Sequence, residues 1–328
     1  MEGVESMFRR KIGLLLVAFL IMITSSAYAS NSDKSAAFKS SLISTYGIHL
    51  NKRQLPNAPE IIYGEKKQVQ GLDVVDLTFS SFDGQKIPGE VIYPKGFKTT
   101  NKYPTVMVFS GHGEMEELIS KPESYQHAGA VELAKSGYLV FAMENRGMGK
   151  LASMGDHLVL DAVSRLHGGS WYGDITTDAL YLSAAVNNVT YVDQKKIGTA
   201  GVSTGGALSM LVAALDDRVN AAYVQGYLGT YAKTFTDGTH DICNNISGIL
   251  NIGEMWDVGN LIAPRSALYV NGEMDHFHIA DAQVSYAKIK DHYTQLGAGG
   301  NVSLLSPRGV THEFSAQLAA DFFNKNFK

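Results

Sequence analysis

Cysteine is almost absent from this chain of 328 residues, which contains a single one, Cys243. One cysteine cannot form an intramolecular disulfide, so the stability of the fold must come from its hydrophobic core. A large excess of one charge sign is lacking as well, because the chain has 28 Lys and Arg and 32 Asp and Glu, a net charge of −4. The basic residues are dispersed, so the sequence predicts neither a nucleic-acid surface nor attraction to anionic membranes.

An apolar run lies near the N-terminus, but it is shorter than the roughly 20 residues that a membrane-spanning helix needs. Basic residues 9–11 precede apolar residues 12–23, and Ala27-Tyr28-Ala29 offers small residues for cleavage. This order is typical of a secretory signal peptide. We therefore expect residues 1–29 to be removed and the protein to be periplasmic or extracellular; an uncleaved anchor is the alternative.

Strand-like and helix-like segments alternate through most of the chain. The predicted strands cover residues 72–80, 87–93, 103–110, 138–143, 196–200, 219–225, 267–271 and 302–305, and the predicted helices cover 126–136, 174–187, 207–214, 279–296 and 314–323. Several of the strands are continuous apolar runs, as expected for strands that are buried on both faces. The alternation predicts an α/β fold with a mostly parallel, doubly wound sheet and helices on both faces.

The stretch Gly201-Val202-Ser203-Thr204-Gly205-Gly206 lies between a predicted strand and a predicted helix. Strand, Gly-x-Ser-x-Gly and helix form the nucleophile elbow of the α/β-hydrolases. The sharp turn exposes the serine hydroxyl, and the glycines prevent side-chain collisions across the turn. Ser203 is therefore the candidate nucleophile; a glycine-rich turn with an incidental serine is the alternative.

A serine nucleophile needs a histidine base and an acid that orients it, and in this fold the order is Ser, acid, His. His312 follows the last predicted strand in a loop, and histidine is the residue type best suited to take the serine proton and pass it to the leaving group. The acid is expected in the loop after the preceding strand, where Asp275 is preferred and Glu273 is the reserve. A surface histidine near a helix start is the alternative reading of His312.

Hydrolysis also needs hydrogen-bond donors that stabilise the negative charge developing on the carbonyl oxygen of the ester. One is predicted to be the backbone N–H of Thr204, directly after the nucleophile. The second is assigned to the N–H of Glu114, with Gly113 next in order, in the small-residue turn after strand 103–110. His276 and His278 are a weak metal signal without a third ligand nearby, so no metal site is predicted.

With these residues placed, residues 103–328 resemble the α/β-hydrolase superfamily, and within it secreted acetyl xylan esterase-like and dienelactone hydrolase-like proteins. The matching features are Gly111-His112-Gly113, Gly201–Gly206, Ile262-Ala263-Pro264-Arg265 and Asn271-Gly272-Glu273-Met274-Asp275. The resemblance implies a cofactor-free esterase that removes small acyl groups, often from carbohydrate. His240 and Cys243 also look like a feature of that group, with a structural role.

Two departures from the family pattern bear on the substrate and the site. Dienelactone hydrolases proper carry cysteine at the elbow, so Ser203 argues against their substrate. Glu144-Asn145-Arg146-Gly147 stands where relatives often have Asp-x-Arg-Gly.

The chain is expected to divide into a signal peptide, an N-terminal helix and β-hairpin over residues 30–100, and a catalytic core over residues 101–328. Insertions near residues 144–171 and 226–260 interrupt the alternation. In a doubly wound sheet such segments lie over the carboxyl ends of the strands, where ligands bind. We therefore predict that they wall the substrate pocket.

The favoured function is a secreted serine carboxylesterase that hydrolyses small acyl esters through a Ser-His-Asp triad and an acyl-enzyme, with acetylated carbohydrate as one substrate class. A serine peptidase is the first alternative, although prolyl peptidases of this fold usually carry a further domain. A non-enzymatic binding protein on the same scaffold is the second. The expected partner is a small-molecule or carbohydrate ester, with no nucleic acid and no membrane after cleavage of the signal peptide.

Overall fold

The computed structural model describes residues 33–51, 54–236 and 241–327. The predicted signal peptide, residues 1–29, and His240 lie outside these residues. Within them, no helix has both the length and the apolar character needed to cross a membrane.

In this part of the chain nine strands form one sheet, in the order β1-β2-β3-β5-β4-β6-β7-β8-β9. The strands are β1 (Ile62–Val69), β2 (Leu72–Ser80), β3 (Lys86–Ile92), β4 (Tyr103–Phe109), β5 (Leu139–Met143), β6 (Val192–Val202), β7 (Ala221–Gln225), β8 (Ser266–Val270) and β9 (Val302–Leu305). β1, β2, β3 and β5 pair antiparallel in turn. The remaining pairs, from β5 through β9, are parallel. The predicted α/β class and the mostly parallel sheet are confirmed.

Helices cover both faces of this sheet. They are α1 (residues 33–46), α2 (Gly129–Lys135), α3 (His157–Leu166), α4 (Trp171–Asn187), α5 (Thr204–Leu215), α6 (Tyr231–Thr236), α7 (Met255–Asn260), α8 (Ile279–Gln295) and α9 (Ala316–Asn326). Helices α2 and α9 pack in one apolar layer, and α1, α4, α5, α7 and α8 in the other. Along β4, Met107 faces the second layer and Val108 the first, the alternation that a doubly covered strand requires.

Some elements differ from the sequence prediction, for physical reasons. β1 was not predicted, because it is an exposed edge strand that pairs only with β2 and has little apolar alternation. The short helices α3, α6 and α7 lie inside the two insertions and were also missed. The predicted helix at 126–136 begins only at Gly129, because Ala128 before it has a left-handed backbone, with φ of 49°.

Because β4, β6, β8 and β9 are parallel, their carboxyl ends lie at one edge of the sheet. The segments after these four strands carry His112, Ser203, Asp275 and His312, respectively. The topology therefore brings the predicted site residues to the same edge, as in other doubly wound sheets.

Candidate active site

Ser203 lies in the tight turn between β6 and α5, with φ of 60° and ψ of −127°. This backbone conformation is strained for a residue with a side chain. A Cβ on Gly201 would collide with the backbone of Gly205, and one on Gly205 would collide with the carbonyl of Phe109 in β4. The turn therefore needs glycine at both positions, and it has the geometry of a nucleophile elbow.

His312 and Asp275 form a hydrogen-bonded pair. The distance between His312 Nδ1 and Asp275 Oδ1 is 3.0 Å. Asp275 is 5% exposed, and the same oxygen accepts from the backbone N–H of Phe277 at 2.9 Å. The reserve acid, Glu273, instead accepts from the backbone N–H of Gly309 at 3.0 Å. With Nδ1 donating to the carboxylate, Nε2 of His312 is left as a proton acceptor.

Ser203 and His312 line one cavity, of about 260 Å³. The rest of its lining is polar and aromatic: His112, Tyr125, Asp241, His276 and Phe277. Within the described residues no direct hydrogen bond joins the Ser203 hydroxyl to His312, and such bonds often tighten only in the substrate complex. A cavity of this volume is small for a ligand site, so it favours a small group.

The position of the His312 ring is fixed by stacking and by close backbone packing. The ring stacks with Tyr125 and with Phe277, at centroid distances of 5.8 Å and 5.5 Å. A Cβ on Gly226, whose φ is +58°, would lie 2.9 Å from His312 Nδ1 and 3.2 Å from Asp275 Oδ2. Only a glycine can therefore pack against the pair at this point.

A second histidine, His276, lies beside the pair, with its ring centroid 4.1 Å from that of His312. Its Nδ1 is 3.7 Å from Asp275 Oδ1, so it faces the same carboxylate oxygen more distantly. Burial and charge repulsion from His312 lower the pKa of His276. This shift favours a neutral ring that does not compete with His312 for the carboxylate.

The predicted oxyanion donors lie on two elements. Thr204 is the first residue of α5, where backbone N–H groups have no partner within the helix. Glu114 precedes the 3-10 helix Met115–Leu118, and its carboxylate pairs with Lys121. His112, from the same turn, lines the cavity, so its N–H is an alternative donor. The assignment to Glu114 remains a prediction.

Glu144, the residue that departs from the family pattern, holds the turn after β4 through a buried carboxylate. It is 1% exposed, and its carboxylate accepts from the backbone N–H of Met115 at 2.9 Å and of Lys150 at 3.1 Å. Burial raises the pKa of the Glu144 carboxyl. The carboxylate thereby ties the turn after β4 to the segment after β5.

A polar network that the sequence did not predict includes Thr204, the residue after Ser203. The Oγ1 atom of Thr204 is 2.9 Å from His112 Nδ1 and 3.0 Å from the hydroxyl of Tyr172. His112 Nε2 is 3.3 Å from the thiol sulfur of Cys243, and the ring stacks on Trp171. Burial lowers the pKa of His112 to about 4, so its imidazole is neutral at neutral pH. The only sequence signal for this side chain was its place between two glycines.

The chain matches one protein family and is similar in sequence to two known proteins. The family model for acetyl xylan esterase (AXE1) matches residues 51–242. YtaP of Bacillus subtilis (strain 168), a protein named as a hydrolase, is 25% identical over 237 residues, 69% of this chain and 77% of that protein. A protein of Aspergillus terreus (strain NIH 2624 / FGSC A1156) that carries the name dipeptidyl-peptidase 5 is 32% identical over 139 residues, which are 42% of this chain but only 18% of that protein.

Among solved structures, a protein of Bacteroides fragilis NCTC 9343 described as an acetyl xylan esterase has a similar fold. The TM-score is 0.72 at 15% identity, and the superposition covers 89% of this chain and 86% of that chain. At 15% identity this similarity shows a shared fold.

Proposed function

The chain belongs to the acetyl xylan esterase (AXE1) family of α/β-hydrolase serine esterases, and we propose that it hydrolyses small acyl esters with Ser203, His312 and Asp275 as its catalytic residues. As a member of this family it is a serine hydrolase that acts on carboxylic ester bonds. The observation that carries the assignment of residues is the 3.0 Å hydrogen bond between His312 and Asp275, beside a cavity that Ser203 also lines.

In the proposed reaction His312 Nε2 takes the proton of the Ser203 hydroxyl while Oγ attacks the ester carbonyl carbon. Asp275 holds the ring in the tautomer with the proton on Nδ1 and stabilises the imidazolium that forms. His312 then gives its new proton to the departing alcohol, and an acyl-enzyme remains on Ser203. A water molecule, deprotonated by the same nitrogen, releases the acid and restores the serine.

The negative oxygen of each tetrahedral intermediate is proposed to accept hydrogen bonds from backbone N–H groups. Thr204 supplies one at the N-terminus of α5, where the helix dipole also favours negative charge. The turn after β4 supplies the other, from Glu114, with Gly113 next in order, or from His112, which lines the cavity. Loss of one such donor typically costs about 3 kcal/mol of transition-state stabilisation.

The cavity supports a short acyl group as substrate. Its volume of about 260 Å³ suits acetyl better than a long acyl chain. Because the family is named for acetyl xylan and the N-terminus has the features of a signal peptide, we propose acetylated carbohydrate outside the cytoplasm as the substrate class.

A panel of esters tests this proposal. The wild-type protein is expected to hydrolyse p-nitrophenyl acetate and acetylated xylo-oligosaccharides, with kcat/KM falling from acetate to butyrate to octanoate. Ser203→Ala is expected to abolish hydrolysis and to unfold at an unchanged temperature. Full activity in Ser203→Ala would refute the nucleophile, and faster turnover of octanoate would refute the short acyl pocket.

A peptidase is the second candidate, because 139 residues match the protein named dipeptidyl-peptidase 5 at 32% identity. The same triad would then attack an amide carbonyl, and His312 would protonate an amine leaving group. Aminoacyl-nitroanilides distinguish the two functions: turnover that exceeds that of the matched esters would favour the peptidase.

A further inference from the structure

We propose that His112, His157 and Cys243 form a binding site for a thiophilic divalent cation such as Zn²⁺ at the wall of the active-site cavity. A nitrogen of each imidazole and the sulfur of Cys243 all lie within 4.8 Å of one another. The three residues come from the turn after β4, from the first position of α3 and from the 3-10 helix Ile242–Asn244. The proposed hydrolysis uses none of these three side chains.

The distances between the ligand atoms are close to those of a tetrahedral zinc site. Zinc binds sulfur at about 2.3 Å and imidazole nitrogen at about 2.0 Å, so ligand atoms lie about 3.3–3.6 Å apart in a tetrahedron. His112 Nε2 and Cys243 Sγ are already 3.3 Å apart. A nitrogen of His157, at the first position of α3, lies within 4.8 Å of the other two ligand atoms, so metal binding draws it closer to them.

His157 supplies an independent indication of a ligand. Its Nε2 atom is buried and has no hydrogen-bond partner within the described residues. A buried polar atom without a partner is unfavourable, and most such atoms in proteins are satisfied. A cation held between the two imidazoles and the thiolate would satisfy it.

His112 is oriented in the way that metal-binding histidines usually are. Its Nδ1 is 2.9 Å from Thr204 Oγ1, which lies farther from Nε2, at 3.5 Å, and Nε2 is 3.3 Å from the sulfur of Cys243. Such a second hydrogen bond fixes the tautomer and the ring orientation of a metal ligand. Binding requires the thiolate, so the Cys243 S–H proton is released to solvent as the metal–sulfur bond forms.

A fourth ligand is available from the same cavity. Asp241 Oδ2 lies 3.7 Å from His112 Nε2, and the residue lines the cavity with Ser203. A site of two imidazoles, one thiolate and one carboxylate or water is typical of zinc and favours it over magnesium or calcium, which prefer oxygen.

Cobalt provides a spectroscopic test, because a thiolate bound to Co²⁺ gives a charge-transfer absorption in the near ultraviolet. Cys243 is the only cysteine of the chain, so this absorption reports on it alone. The purified, reduced protein is titrated with Co²⁺ and then with Zn²⁺, and protons released on Zn²⁺ binding are counted with a pH indicator. We expect one Co²⁺ per chain with thiolate absorption, displacement by Zn²⁺, and release of one proton.

Three variants complete the experiment. Cys243→Ser is expected to lose the thiolate absorption, and His157→Gln to weaken Zn²⁺ binding at least about tenfold, while circular dichroism reports that each is folded. His276→Gln is the control, since it belongs to a second cluster with Asp275 and His312 that also lies within 4.8 Å. It should keep both the absorption and the affinity.

Two results would overturn the proposal. The absence of thiolate absorption at saturating Co²⁺ would mean that the Cys243–His112 contact is a hydrogen bond only. Unchanged Zn²⁺ affinity in His157→Gln would place any bound metal elsewhere. Neither readout depends on ester hydrolysis, so the result is independent of the proposed function.

Discussion

Two groups of polar side chains adjoin Ser203 and are built in opposite ways. The His312–Asp275 pair is here called the first side, and the network of His112 and Thr204 the buried side. On one side, His312 and Asp275 come from loops after β9 and β8 and form a hydrogen-bonded pair that leaves Nε2 of His312 as a proton acceptor. On the other side, His112 and Thr204 belong to a buried network with a neutral imidazole. Proton transfer needs a ring that gains and loses a proton during the reaction, whereas stabilisation of an oxyanion needs dipoles that stay fixed.

The largest effect is expected from removing His312, the proposed base, or the charge of Asp275. Loss of the histidine from a Ser-His-Asp triad lowers kcat by about 10⁶-fold, and loss of the acid's charge by about 10⁴-fold. We predict falls of this size in p-nitrophenyl acetate hydrolysis for His312→Ala and Asp275→Asn. Glu273→Gln is the matched control, because this carboxylate contacts Gly309 and not His312. A loss in Glu273→Gln as large as in Asp275→Asn would contradict the pairing.

The next effect is a pH dependence of stability that arises from the buried side. The pKa of His112 is lowered by burial to about 4, below its usual value of 6.5. The unfolded chain therefore binds the proton more readily, and this contribution to stability is complete above about pH 6.5 and is lost as the pH falls towards 4. At pH 4.5 the loss is about 2–3 kcal/mol.

Urea unfolding at pH 7 and pH 4.5 checks this prediction. We expect His112→Gln to reduce the difference in unfolding free energy between the two pH values by about 2–3 kcal/mol relative to wild type. An unchanged difference would mean that His112 is already protonated, or not buried, in the folded protein.

A methyl group on Gly226 should displace His312, the proposed base. Gly226→Ala would place a Cβ 2.9 Å from His312 Nδ1, and a misplacement of a catalytic group by about 1 Å can lower kcat by about 10²-fold. Gly96→Ala is the matched control, since Gly96 also has positive φ, +73°, but nothing within 4 Å of its Cβ position. Both variants carry the backbone strain, so equal activity in the two would exclude a positioning role for Gly226.

The smallest effect is expected from the side chain of Thr204. Thr204→Val removes the hydroxyl that contacts His112 and Tyr172 but keeps the backbone N–H. We predict a fall in kcat of about tenfold and a loss of about 2 kcal/mol in unfolding free energy, from the unsatisfied partners.

Thr199→Val provides the comparison for Thr204→Val. The Thr199 hydroxyl is buried in β6, the strand that precedes the elbow, and donates to the carbonyl of Ser209; Thr199 does not line the cavity. It should lose similar stability and keep its activity. If both variants lose activity equally, the network acts through general stability and not through the site.

The contrast between the two sides also explains what the sequence could predict. The elbow is a continuous motif with its own strand and helix, and Asp275 and His312 follow two strands in the chain order of this fold. Local pattern and topology are therefore sufficient to select them. The distance between the Ser203 hydroxyl and His312 remained outside such reasoning, because it depends on side-chain rotation.

The buried network was not predictable, because its members come from four separate segments. His112, Tyr172, Thr204 and Cys243 meet only after the sheet, α4 and the second insertion have packed together. The same reason applies to Arg146, whose guanidinium binds the buried carboxylate of Asp178 at 2.7 Å. The exposed edge strand β1 and the short helices of the insertions were missed for another reason. Their sequences lack the hydrophobic periodicity on which secondary-structure prediction depends.

The most direct test of the proposed mechanism is to locate the covalent intermediate. The wild-type protein is treated with a fluorophosphonate, and the modified residue is identified by peptide mass mapping, with Ser203→Ala and Asp275→Asn in parallel. We predict one adduct per chain on Ser203, none in Ser203→Ala, and much slower labelling in Asp275→Asn. A stable wild-type protein that forms no adduct, or an adduct on another residue, would contradict the assignment of Ser203 as the nucleophile.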